Sequence, residues 1–317
     1  MLSYDTEVLI RPETAEQRFL PEGPYPVGDA SISWVSIQHG VNSTSGSLNL
    51  LDLTTKQNRN VPLAGRPGFA FPTDRDGVFV VGLEHRVVLV DVNSGEESIL
   101  VDNVDSDVSG TIINDGVAFS GGLIFGCKDL KFADKKAGLY LWRRSDQSLI
   151  RLRNDQICSN GKIVIGSGDQ VTLLDIDTPT QHVVRYTVDV AAGRLSKPEV
   201  VVDLTEGEVF PDGMVATPDG QGVIIAFYDP RDSALGEARQ YSLANGELEA
   251  VWKTDRSPRV TCPLLIEIDG AVKLILTTAD EGLSPEQQAQ HVNAGCLFVG
   301  ETGFSSVPET PIFEVPA

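Results

Sequence analysis

Clustered cysteines, long apolar runs, helical periodicity and basic charge are all scarce in this 317-residue chain, and each scarcity excludes something. The four cysteines (Cys127, Cys158, Cys262, Cys296) are widely spaced with no Cys-x-x-Cys. Neither a zinc cluster nor a disulfide framework is expected, and buried reduced thiols are. No segment reaches the roughly 18 consecutive apolar residues of a membrane helix. The first twelve residues carry Asp5, Glu7 and Arg11 and no apolar core, so they do not read as a secretory signal and the default expectation is cytoplasmic. Lysine and arginine number 25 against 45 aspartates and glutamates, a formal net charge of −20. Such a surface repels nucleic acid and anionic membranes. It also serves plain solubility, so attraction of cations needs specific sites.

The four histidines (His39, His85, His182, His291) show no zinc-type spacing, and His182 and His291 lie on stretches that read as surface. No Gly-x-Ser-x-Gly elbow occurs, which disfavours a Ser-His-Asp hydrolase. Gly-rich stretches such as Ser120-Gly121-Gly122 lack the strand-to-helix context of a phosphate loop.

What the chain does have is strands. A short apolar or alternating run followed by a polar turn recurs six times, beginning at Leu48, Val87, Leu139, Val183, Arg239 and Gly295. The intervals of roughly 40 to 55 residues are those of four-stranded propeller blades. Between the copies lie further strand candidates, such as Gly77–Val81, Gly222–Ala226 and Val272–Leu276, each after an Asp/Gly turn. With 41% hydrophobic residues the chain has material for a large core. The expectation is an all-β, six-bladed β-propeller, one domain over residues 1–317, in which the extended segment Thr6–Ile10 closes the last blade and protects its edge. The competing arrangement, a pair of β-sandwiches, gives no reason for six copies of one theme.

Oxygen-bearing residues stand beside glycines in four distant segments: Glu22 in Pro21-Glu22-Gly23-Pro24, Asn114-Asp115-Gly116, Asn160 in Ser159-Asn160-Gly161, and Asp212 in Pro211-Asp212-Gly213-Met214. Each alone reads as an ordinary turn, and Glu22 as a loop acid. In a propeller, turns at equivalent blade ends face one central channel. Two carboxylates and an amide oxygen gathered there suit a hard divalent cation.

At these positions the sequence resembles the regucalcin/gluconolactonase family, which includes senescence marker proteins and luciferin-regenerating enzymes. Glu22-Gly23-Pro24 is similar to the family's opening motif, followed by Ile32-Ser33-Trp34-Val35-Ser36-Ile37 with Ser36 in place of an aspartate. Asn114-Asp115-Gly116, Ser159-Asn160-Gly161 and Pro211-Asp212-Gly213-Met214 resemble three further motifs in the family's order. The resemblance implies Glu22, Asn160 and Asp212 as ligands of one divalent metal (calcium, zinc, magnesium or manganese), with Asp212 also accepting a proton from water. It implies a small-molecule substrate, a sugar lactone or related ester, with Asn114 bonding its hydroxyls. A monomer or weak homodimer, with neither nucleic acid nor membrane as partner, is expected. Two departures touch the substrate side: Ile112 stands where sugar-lactone members often have arginine, and Gly126-Cys127-Lys128-Asp129 replaces a Gly-Thr-Met type segment. Lys128 either replaces the lost cation or is a solvated lysine. A metal-binding regulatory propeller without turnover, and a family enzyme acting on a non-sugar substrate, both remain open.

Overall fold

The computed structural model describes residues 1–316 and falls into two compact units. The first comprises residues 1–67 and 206–309, and the second residues 68–205 with the C-terminal segment from Thr310. Both are built from antiparallel meanders. Among the described residues, helix is limited to Ala15–Phe19 and Pro285–Gln290, with one 3-10 turn at Thr178–Thr180. Neither helix is long and apolar enough to cross a membrane.

In the first unit, Pro21–Val27, Ser31–Ser36, Gly46–Asp52 and Asn58–Leu63 form one four-stranded sheet in chain order. A second sheet has eight strands. Phe210–Ala216, Gly222–Tyr228, Leu235–Ser242 and Leu248–Asp255 run to the N-terminal strand Leu2–Ile10, which is followed by Leu297–Glu301, Ala271–Thr278 and Val260–Ile268. The N-terminal strand is the joint. Its residues Thr6 to Ile10 pair antiparallel with Gly300 to Leu297, and Leu2 to Asp5 pair parallel with Ala250 to Lys253. The second pairing is not foreshadowed in the sequence; it covers an edge that would otherwise expose unpaired backbone groups.

The second unit holds three meanders. They run Pro67–Pro72 to Glu97–Val101, Thr111–Phe119 to Ser148–Gln156, and Ser159–Ile165 to His182–Asp189, the last strand carrying both Arg194–Leu195 and Glu199–Asp203. The C-terminal segment is tied to the first of these by Phe313, whose N–H donates to Pro72 O and whose carbonyl accepts from Asp74 N–H. The Phe313 ring lies 5.4 Å from that of Trp142.

Burial explains the recurring apolar theme. All six copies fall on the third strand of a meander, and the second strands are the other apolar runs. Gly222–Tyr228 is buried from Gly222 through Phe227, while a fourth strand such as Glu97–Val101 is mostly exposed. Strands covered on both faces read as continuous apolar runs, and outer ones do not. In three of the copies the polar turn after the theme is an aspartate turn. Asp52 Oδ1 accepts from Thr54 and Thr55 N–H, Asp91 Oδ1 from Asn93 and Ser94, and Asp189 Oδ1 from Ala192.

Three cysteines are buried and Cys262 is half-buried, all as free thiols. His291, which reads as surface, is instead buried. It caps the helix Pro285–Gln290 through its N–H to Gln287 O, and its ring is buried with Nε2 2.6 Å from Asp232 Oδ1.

Candidate metal centre

The structure corrects one expectation from the sequence: the glycine-marked residues lie inside strands, at β-bulges. Each is in the first strand of a meander, where the register slips between Glu22 and Tyr25, Ile113 and Asp115, Asn160 and Lys162, and Pro211 and Met214. A bulge inserts an unpaired residue and re-aims its side chain, a device common beside functional sites. The glycines serve two purposes. Gly23 and Gly161 have φ of +52° and +37°, which side-chain-bearing residues adopt at a cost. Gly116 and Gly213 are needed for room: a Cβ on Gly213 would lie 2.5 Å from Cys262 Sγ, and one on Gly116 2.8 Å from the Phe69 ring.

In the second unit the bulges bring Asn114 and Asn160 into contact. Asn114 Nδ2 donates to Asn160 Oδ1 at 2.7 Å and to Ser159 O at 2.9 Å. Asn160 Nδ2 donates to Thr178 Oγ1 at 2.9 Å and faces Cys158 Sγ at 3.5 Å. These partners fix which end of the Asn160 amide is which. Oδ1 is the acceptor end, with one lone pair engaged by Asn114.

Around this pair is a charged cluster that reading the sequence alone does not find. The Lys162 side chain is fully buried, Nζ lying 3.3 Å from Asp175 Oδ1 and 3.2 Å from the carbonyl oxygen of Asn160. Gln156 Nε2 donates to Asp175 Oδ2 at 2.7 Å. Burial pushes the Asp175 carboxyl up to about 6, against the pull of Lys162 and Arg153. Half-buried Asp115 accepts from Gly116 N–H at 2.6 Å and from Gly161 N–H; desolvation raises its pKa, opposed by the Lys162 charge. The only signals in the chain are a lysine at the head of an Ile-Val-Ile strand and an aspartate inside Leu-Leu-Asp-Ile.

Lys128 is half-buried opposite Ile112 in the ladder, and its backbone bridges Cys158. Ile112 itself is core, 1% exposed.

In the first unit Glu22 and Asp212 are both half-buried. Glu22 Oε2 accepts from Gly23 N–H at 2.8 Å, and the Pro21 carbonyl accepts from Thr261 Oγ1 at 2.6 Å. Burial raises the Tyr228 phenol, and the charges of Glu281 and Asp212 add to that rise. Among the described residues no group of three or more His, Cys, Asp and Glu is placed to hold a metal. The expected set has only two carboxylates beside its amide. Carboxylate and amide oxygens are the donor types a hard divalent ion takes.

Residues 20–280 match the family model described as the SMP-30/Gluconolactonase/LRE-like region. A curated relative, "Putative sugar lactone lactonase YvrE" of Bacillus subtilis (strain 168), is 27% identical over 191 residues, which is 59% of this chain and 62% of that protein. The match thus spans under two thirds of the relative's length. Among solved structures, a calcium-binding protein, regucalcin, from Agrobacterium tumefaciens superposes with a TM-score of 0.81 at 20% identity over 99% of this chain and 100% of that one. A luciferin-regenerating enzyme gives 0.77 at 18% identity over 94% and 95%. These likenesses show the fold as all-β and propeller-like.

Proposed function

For a chain that belongs to the SMP-30/gluconolactonase/LRE-like family, we propose a metal-dependent hydrolase that opens a sugar lactone or a related small lactone or ester. The proposal takes the six four-stranded meanders as six blades of a single propeller domain, with Glu22, Asn160 and Asp212 as ligands of one divalent ion. The observation that carries it is the Asn160 amide, locked by Thr178, Cys158 and Asn114 with its oxygen as the presented end. When bound, the ion supplies Lewis-acid polarisation of a carbonyl and acidifies water.

The chain's own residues do the rest. Asp212 is the base that takes the proton of the attacking water, and the proton later passes to the alkoxide of the opened ring. Asn114 has a carbonyl oxygen of its amide to accept from a substrate hydroxyl while Nδ2 holds Asn160. Lys128, across the ladder from Ile112, provides positive charge on the substrate side in place of the missing arginine. Calcium, magnesium and manganese suit the oxygen donors by hardness, and zinc accepts carboxylate as well. The chain acts in the cytoplasm as a monomer or weak homodimer on a small molecule.

A ring-opening assay with sugar δ-lactones tests this, on protein stripped of metal and reloaded with each of the four ions. Turnover that appears with an ion and vanishes with chelator supports the proposal. The second reading, a metal-binding protein without turnover, draws on the likeness to the calcium-binding regucalcin. It predicts tight ion binding and no ring opening with any lactone.

A further inference from the structure

The peptide that joins Asn160 to Gly161 is gripped at both of its polar ends by charged side chains. Its carbonyl oxygen accepts from Lys162 Nζ at 3.2 Å, and its N–H donates to the Asp115 carboxylate. Lys162 is held in turn by Asp175 at 3.3 Å, and Asp175 by Gln156 at 2.7 Å. The two grips come from different sheets of the second unit: Asp115 lies on Thr111–Phe119, and Lys162 and Asp175 are register partners on Ser159–Ile165 and Gln170–Asp177.

Stability alone is a poor reason for this arrangement. A fully buried ion pair costs desolvation that a well-packed apolar pair of similar volume avoids, and such replacements are often neutral or stabilising. What an apolar pair cannot do is hold a peptide plane. That plane needs holding, because the register slips between Asn160 and Lys162 and Gly161, at φ +37°, offers the backbone little resistance to rotation. If the bulge relaxed, Cα160 would shift and carry the Asn160 side chain away from its bonds to Asn114 and Thr178.

We propose that Asp115 and Lys162 are positioning residues which clamp the Asn160–Gly161 peptide so that Asn160 Oδ1 is aimed at the ion, with Asp175 anchoring Lys162. The inference rests on the reading of Asn160 as a ligand.

The test is calorimetric titration of the full chain with calcium and with manganese, beside thermal unfolding. Lys162→Met/Asp175→Leu replaces the ion pair by an apolar one. The clamp predicts a Tm close to wild type and an ion affinity reduced about tenfold or more, the usual cost of losing a residue that orients a ligand. Wild-type affinity in the folded double variant overturns the proposal. Should that variant not fold, Asp115→Ala and Asp115→Asn decide. The amide oxygen of Asn still accepts from Gly161 N–H, so the proposal expects Asn to retain most of the affinity that Ala loses, and equal affinity in Ala and wild type overturns it. Asn160→Ala is the control: if it binds the ion as tightly as wild type, the ligand assignment itself fails, independently of the clamp.

Discussion

Asn114 Nδ2 donates to Asn160 Oδ1 at 2.7 Å, across 46 positions of sequence and between two sheets of the second unit. The residue that the family resemblance gives to the substrate therefore also supports the residue it gives to the metal. Asn114→Ala is expected to weaken ion binding about fivefold, the value of one hydrogen bond of about 1 kcal/mol, in addition to raising KM. Titration of the stripped protein checks the first effect, and lactone kinetics the second. An asparagine serving only the substrate would leave ion affinity unchanged.

Gly213 follows Asp212 and packs on Cys262 so closely that an added Cβ would lie only 2.8 Å from the Cys262 Cβ and 2.9 Å from its Cα. Neither of those atoms can swing aside, so Gly213→Ala must shift one strand against the other. The expected cost is roughly 1–3 kcal/mol of stability, read by denaturant unfolding. Ion affinity should fall with it, because Asp212 moves with its neighbour. Gly95→Ala is a useful comparison: its φ of +76° is strained but no atom lies within 4 Å of the added carbon.

Asp129 carries a pH dependence unrelated to the metal. Burial by itself would raise its pKa, but the N–H groups of Asp134 and Ala133 and the Lys136 ammonium outweigh this and hold the carboxyl well below the usual range. A depressed folded pKa means stability that is present above the unfolded value of about 4 and lost as pH falls through the folded one. Asp129→Asn should lower the Tm by several degrees at pH 7, and the gap from wild type should shrink towards pH 2. A gap that is constant with pH would assign the loss to packing.

The fold is far more legible in the chain than the site is. The third strands announce themselves because burial on both faces makes them apolar, and Asp52, Asp91 and Asp189 mark the turns by bonding the backbone just ahead. Those are local patterns. The bulges are not legible: a glycine after Asn or Asp serves a turn and a bulge equally, and only the pairing register tells them apart. Lys162 is less legible still. Its partners Asp175 and Asp115 are brought to it by register and by sheet packing, and neither leaves a mark at short range. His291 misleads for a related reason, since its partner Asp232 lies 59 positions away.

The most direct test of the whole account is lactone ring opening by Asp212→Asn beside wild type, each stripped with chelator and then reloaded with ion at saturation. The account predicts that stripped wild type is inactive, that reloading restores turnover, and that Asp212→Asn at saturating ion loses about a hundredfold or more in kcat, the contribution of a positioned general base. Stripped protein that opens the lactone as fast as reloaded protein would contradict it, as would an Asp212→Asn enzyme with wild-type kcat.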